Sequence, residues 1–106
     1  MKEQTYIVMF MNKDEIPVNF ERWAYKKLET CIDRTICLCC RAFSLYKYDL
    51  IKTTKVVAYK TNGRIERKVW EITIGEFMNR LRSHKEWRTY DDPEWVRVMG
   101  TVAGQG

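Results

Sequence analysis

The chain has one histidine, two prolines and five glycines in 106 residues. The glycines stand singly, so there is no phosphate-cradling glycine loop and no dinucleotide fingerprint. With His84 as the sole imidazole, a cysteine protease-like dyad would have to use it as base, and one histidine among several cysteines satisfies that trivially. No apolar run approaches the roughly 18 residues of a membrane span, so no membrane partner is expected. At the N-terminus a single lysine precedes the six-residue apolar run "YIVMFM". That run is too short for the apolar region of a signal peptide. A cytoplasmic location follows as the expectation, with reduced cysteines.

What is present is material for a core. Hydrophobic residues make up 45% of the chain and charged residues 31%, with four Trp, six Tyr and four Phe. Large rings help a small domain, which buries a smaller fraction of its surface than a large one. There is no repeat or internal linker. The expected organisation is one compact domain over residues 1–99 and a flexible tail over 100–106.

All four cysteines fall within "CIDRTICLCC", residues 31–40. A structural zinc site needs four converging ligands, usually as two close pairs. The C-x5-C-x-C-C spacing converges four sulfurs neither on a helix nor on a strand. Cys31 and Cys39 share an apolar helical stripe and are expected in the core, where free cysteine behaves as a small hydrophobe. Cys37 and Cys40 point away from that stripe and are expected nearer the surface. His84 could complete a site of two or three cysteines, but no spacing requires it. No metal site and no cofactor are therefore expected, and the fold should not depend on metal.

The pattern predicts α+β, in the order β-α-β-β-α, with a small, largely antiparallel sheet and helices packed mainly on one face. "YIVMFM" (6–11) lacks alternation and predicts a strand covered on both faces. "NKDEIPVN" predicts a loop ending at Asn19 as helix cap, with Glu21 in the first turn. From Phe20, apolar residues recur at helical spacing through Trp23, Ala24, Leu28, Cys31, Ile32, Thr35 and Cys39, with Arg22, Lys26, Glu29 and Asp33 opposite. That helix should end between 34 and 45, although "TICLCC" also suits a strand. Asn62-Gly63 predicts a two-residue type I′ hairpin turn. If Thr61 pairs with Arg64, Ile51, Val57, Tyr59, Trp70 and Ile72 face the core. Lys52, Lys60, Arg67, Val56, Ala58 and Val69 then face outward. A three-residue loop with a bulge would shift this register by one. Thr73 and Glu76 form a Thr-x-x-Glu capping box, with Ile72 and Phe77 as its hydrophobic staple. A helix should start near Ile74, bury Ile74, Phe77, Met78 and Leu81, and run to about Trp87. Asp92 and Pro93 offer one more helix start, which also accounts for Asp91-Asp92 without a ligand.

The net charge of +5 is unevenly spread. Residues 51–90 carry ten basic and four acidic side chains, against eight and seven in residues 1–50. Such a segment favours anionic partners. A charge of this size also serves solubility. Glu66-Arg67-Lys68 has the Glu-x-Lys spacing of a nuclease strand, but its paired carboxylate, Asp49, belongs at the far end of the hairpin. "RLRSHKEWRTY" (80–90) interleaves basic and aromatic residues as nucleic-acid binders do. The candidate binding residues are Lys52, Lys60, Arg64 and Arg67 on the hairpin, with Arg80, Arg82, Lys85 and Arg88 beyond it.

No catalytic constellation survives these spacings. The expected function is that of a small, non-enzymatic basic protein binding nucleic acid or a nucleoprotein complex. The alternative is a protein target. In size and general character the chain is similar to small phage-encoded inhibitors of host defence nucleases, such as anti-CRISPR proteins. That resemblance implies action by protein–protein binding. Its basic charge disfavours mimicry of nucleic acid. A small enzyme is the third reading.

Overall fold

A computed structural model describes residues 4–25 and 27–85. The elements are β1 (Thr5–Met11), β2 (Pro17–Ala24), α1 (Leu28–Arg41), α2 (Phe43–Lys52), β3 (Lys55–Thr61), β4 (Glu66–Thr73) and α3 (Ile74–Ser83). The four strands form one antiparallel sheet in the order β2-β1-β3-β4. Val8, Phe10, Val56 and Ala58 meet the apolar sides of all three helices in one core cluster. The mixed α+β class, the antiparallel sheet and the helices on one face are as the sequence predicts.

β1 is central and buried, as its unbroken apolar run predicts: Tyr6, Ile7, Val8, Phe10 and Met11 are all buried. Residues 17–24 are the main correction. They form an edge strand, not a loop leading to a helix capped by Asn19. Pro17, which has no N–H for the ladder, opens the strand, where an edge tolerates it. The turn before it is closed by Asn12, whose Oδ1 accepts from the N–H groups of Asp14 at 2.8 Å and Ile16 at 3.0 Å. Helical spacing misleads here because Phe20 is 54% exposed and Trp23 faces the core from a strand.

The face of β2 turned to the helices is polar and is held by three side-chain hydrogen bonds. Asn19 donates to Asp49 Oδ2 at 3.3 Å, Glu21 accepts from the Tyr46 hydroxyl at 2.6 Å, and the Trp23 indole donates to Thr35 Oγ1 at 2.9 Å. The three β2 residues are spaced by two, so they share a face. Their partners lie on α1 and α2, which docks both helices on the edge strand. Burial and the hydrogen bond to Glu21 push the Tyr46 hydroxyl well above its ordinary value.

α1 begins at Leu28 without a side-chain cap and ends at Arg41, within the predicted range. Its buried arc is wider than a single stripe. Cys31, Ile32, Thr35, Ile36, Cys37, Cys39 and Cys40 are all buried. The expectation that Cys37 and Cys40 lie near the surface is therefore corrected. The sheet covers one side of α1, and the end of α3 reaches the other, where Cys40 Sγ donates to the Leu81 carbonyl at 3.7 Å. Burial pushes the Cys39 thiol far above its ordinary range.

The β3–β4 connection turns at Asn62-Gly63, as expected, but it spans residues 62–65. Gly63 has φ +97°, a conformation that glycine adopts without strain. Asn62 Oδ1 accepts from the Arg64 and Ile65 N–H groups, both at 3.0 Å. Thr61 thus pairs with Glu66, not Arg64. A bulge follows, because Tyr59 pairs with Lys68 while Ala58 pairs with Trp70. One extra residue inverts the alternation on β4. Val56 and Ala58 consequently join Trp70 and Ile72 in the core, and Val57 and Tyr59 lie on the opposite face. Ile51 and Lys52 belong to the last turn of α2, not to the hairpin.

α3 starts where the capping box places it. Thr73 Oγ1 accepts from the Glu76 N–H at 3.2 Å, and Ile74, Phe77, Met78 and Leu81 are buried. Phe77 meets Phe10 edge to face at 5.4 Å between centroids, a contact worth about 0.5–1.5 kcal/mol beyond its burial. The helix ends at Ser83. Its expected extension to Trp87, the helix start at Asp92-Pro93 and the tail over 100–106 lie outside the described residues.

Thr73→Ala should lower stability by about 0.5–2 kcal/mol in urea unfolding. An unchanged midpoint would mean that this cap does not hold α3. Tyr46→Phe should cost about 1–2 kcal/mol at pH 7, because it strips a hydrogen bond from a carboxylate. The raised Tyr46 value sets the sign of the pH effect. Its stabilisation is complete below the ordinary value of 10.0 and fades as pH rises beyond it. Cys39 acts in the same sense above 9.0. The gap between wild type and Tyr46→Phe should therefore narrow between pH 9 and pH 11, and a constant gap would contradict the Tyr46–Glu21 bond.

Candidate functional site

The sequence-predicted cations do not form one outer face. Lys60 and Arg67 share a face, as expected, but they stand directly opposite each other on β3 and β4, a pairing that the expected Thr61–Arg64 register would not make. They lie on the side of the sheet that carries the helices, at its far end. Arg64 projects from the 62–65 loop beside them. Lys52 ends α2 at the other end of the sheet, close to Asn12, Lys13 and Thr54. β3 runs seven residues between those ends, about 20 Å at strand rise. The expected grouping of Lys52 with Lys60 and Arg67 is thus corrected: Lys52 is helical, so the hairpin alternation never included it. Arg80 and Arg82 are exposed on α3, and Lys85 follows it. The Arg80 guanidinium lies over the Trp70 ring at 5.7 Å, a cation–π contact that holds it against the sheet. Arg82 donates to the Asn79 side chain. Arg88 lies outside the described residues.

Lys60 and Arg67 line a cleft of about 570 Å³ at the end of the sheet where Thr5 pairs with Thr61. Arg22 from β2 is the third cation in its wall, joined by Gln4, Thr61 and Ile65. Among the described residues no carboxylate lines this cleft. Three cations there raise the local potential for an anion. Sequence reading missed Arg22, because it placed that residue on the solvent side of a helix. The strand register brings it here, paired with Ile7 on β1.

Elsewhere on the sheet the charges are matched. On the face away from the helices, Lys55 bonds to Glu71 at 3.2 Å and also to Glu15. Lys68 reaches Glu71 at 3.5 Å. Hydrogen bonding to Lys55 holds both the Glu15 and Glu71 carboxyls below their ordinary value. Asp49, the imagined partner of Glu66 in a nuclease pair, sits on α2 against Asn19. Asn19 pairs with Phe10 toward one end of the sheet, and Glu66 pairs with Thr61 at the other. A shared metal between Asp49 and Glu66 has no geometric basis.

A second polar cluster lies between α1 and the end of α3. His84 Nε2 is 3.3 Å from Cys37 Sγ and 3.0 Å from Asp33 Oδ1. Cys37 Sγ is 3.9 Å from Asp33 Oδ2. One imidazole nitrogen faces both the thiol and the carboxylate. A catalytic Cys-His-Asp relay uses the two ring nitrogens separately, one toward the nucleophile and one toward the carboxylate. The cluster is therefore not built as a hydrolase triad. Asp33 and Cys37 are one helical turn apart, which is the signal the sequence offered for their pairing.

No helix among the described residues is long and apolar enough to cross a membrane. No protein-family model matches the chain, and no match was found among curated proteins or solved structures.

Proposed function

We propose that this chain is a small, non-enzymatic basic binding protein that engages nucleic acid or a nucleoprotein complex through the cleft at the Thr61 end of the sheet. The observation that carries this reading is the set of three cations, Arg22, Lys60 and Arg67, in one concavity, with no carboxylate among the described residues of its wall. Arg64 stands beside it on an exposed loop. A phosphate backbone supplies the matching charge, and its displaced counterions favour binding entropically. Arginine adds bidentate contact to phosphate oxygens. Lys60 and Arg67 are cross-strand partners on the helix side of the sheet, while Arg22, paired with Ile7, starts from the opposite side, so the three meet only at the end of the sheet. Arg80, Arg82 and Lys85 extend the positive surface along α3. Four cysteines outside any disulfide fit action in a reducing compartment such as the cytoplasm.

A second reading, a phage-type inhibitor of a defence nuclease acting by protein contact, draws on a different surface. Leu45 is 76% exposed and Tyr48 58% exposed on α2. They are three residues apart, so they share a helix face. Exposed aromatic and aliphatic side chains of this kind serve as protein-contact anchors.

Two triple variants separate these readings. Arg22→Glu, Lys60→Glu and Arg67→Glu together should abolish binding to a duplex oligonucleotide while circular dichroism stays native. Lys13→Glu, Lys27→Glu and Arg34→Glu carry the same charge change on exposed positions elsewhere and should weaken binding only modestly. For wild type, log affinity should fall linearly with log salt, by about 0.9 per phosphate contacted. Equal losses in both triples would reduce the effect to net charge. Absent oligonucleotide binding, with host partner capture lost in Leu45→Glu, would favour the protein-inhibitor reading.

A further inference from the structure

The Asp33–Cys37–His84 cluster assembles three metal-donor types from two elements. Asp33 and Cys37 come from successive turns of α1, and His84 from the residue that ends α3. Their donor atoms all lie within 4.8 Å of one another. Tetrahedral zinc, with bonds of about 2.0–2.3 Å to nitrogen, oxygen and sulfur, sets its donors about 3.3–3.8 Å apart. His84 Nε2 is 3.3 Å from Cys37 Sγ and 3.0 Å from Asp33 Oδ1, while the other Asp33 oxygen, Oδ2, is 3.9 Å from Cys37 Sγ, all close to that range. Small side-chain adjustments suffice to admit an ion. Cys37 is 7% exposed and the His84 side chain 9%, while the Asp33 side chain is 61% exposed. Two donors are thus held by packing, and the third sits at the solvent edge as an entry point.

We propose that Asp33, Cys37 and His84 bind one zinc-class divalent ion. The donor set decides the class. A thiolate and an imidazole favour zinc and its borderline-soft neighbours, whereas magnesium and calcium prefer all-oxygen sets. On binding, the Cys37 thiol gives its proton to solvent and the sulfur becomes a thiolate ligand. Three protein donors leave one position of the tetrahedron for a water or a further donor. The ion ties the middle of α1 to the end of α3, elements that already meet through Cys40 and Leu81. The three side chains also contact one another without metal, and the cores on either side are apolar. The ion therefore adds stability to a chain that folds without it. This departs from the sequence expectation, which weighed four cysteines, or His84 with two or three of them, and counted Asp33 as a solvated charge. It does not depend on the nucleic-acid reading.

The test is titration of the reduced full chain with Co²⁺, the spectroscopic stand-in for zinc. The expected result is one ion per chain, with tetrahedral d–d bands and a thiolate-to-cobalt charge-transfer band, both displaced by Zn²⁺ and unaffected by excess Mg²⁺. Cys37→Ser should remove the charge-transfer band. Asp33→Asn, a change at an exposed position that leaves packing alone, should weaken binding at least tenfold, since even outer-sphere partners of metal ligands cost about 10–100-fold. Zn²⁺ should raise the thermal midpoint of wild type but not of Asp33→Asn. No stoichiometric binding, or binding undiminished in Cys37→Ser and Asp33→Asn, would overturn the proposal and leave a hydrogen-bonded trio. A charge-transfer band that persists in Cys37→Ser and is lost in Cys40→Ala would also overturn it, by moving the thiolate elsewhere.

Discussion

The hydrogen bond from the Trp23 indole to Thr35 determines which way β2 faces, and much of the architecture depends on that choice. Strand alternation fixes the rest once one residue is placed. With Trp23 turned inward, Glu21 and Asn19 must also turn inward, where Tyr46 and Asp49 meet them. A one-residue slip would instead bury Arg22 and expose Trp23. Thr35 is itself fully buried and returns a hydrogen bond to the Cys31 carbonyl at 2.9 Å. The anchor on α1 is therefore rigid on both sides. This seam explains how a mostly polar strand holds an edge position beside an apolar core. It stands in for hydrophobic burial with bonds that are worth little unless all are made.

The same logic of alternation governs the opposite edge, with a different outcome. β4 carries a bulge, so its two halves present opposite parity to β3. Near the turn, Lys60 faces Arg67. Beyond the bulge, Ala58 faces Trp70. One face of the hairpin is thus apolar where the helices cover it and cationic where they do not. Without the bulge, either the cations or Trp70 and Ile72 would point the wrong way. The cleft is a product of this single extra residue and of the turn of β2 that sends Arg22 outward. Charges at the other end of the sheet, on the face away from the helices, are paired, as Lys55 is with Glu71 and Glu15. Arg22, Lys60 and Arg67 at the Thr61 end make no ion pair among the described residues, and that contrast defines the candidate surface.

Features set by strong local chemistry were legible in the sequence. The run at β1, the turn at Asn62-Gly63, the Thr73–Glu76 cap and the stripe Ile74, Phe77, Met78 and Leu81 each rest on a few neighbouring residues. Where the reading failed, two periodicities competed. Phe20, Trp23 and Ala24 continue the helical spacing of α1 backward, yet in the strand Phe20 and Ala24 share one face and Trp23 takes the other. Tertiary bonds to Thr35 and Tyr46, invisible in a local window, decide the outcome. The hairpin register failed for a related reason: a four-residue loop and a bulge together change parity, and neither is encoded by residue type alone. Lys60, Arg64 and Arg67 were legible as a group because they flank the turn. Arg22 was not, since its strand was read as a helix. Asp33, Cys37 and His84 were legible only in part, as a one-turn pair and a lone histidine with no stated distance between them.

α1 carries the consequences of being covered twice. A helix packed on one face shows a single apolar stripe, and its other residues are free to be charged. α1 instead buries seven residues, among them all four cysteines. Cysteine suits this position because it is small enough to let a second helix approach closely and apolar enough to be buried. That explains the cysteine-rich segment without a four-sulfur site: Cys31, Cys39 and Cys40 fill the contact between α1 and its neighbours. Cys37 lies at the margin of that contact, where packing gives way to solvent. A thiol at such a margin meets polar side chains as well as apolar ones, and here it meets His84 and Asp33. The packing that places α3 against α1 thus also brings the sole histidine to the one cysteine that has a carboxylate a turn away.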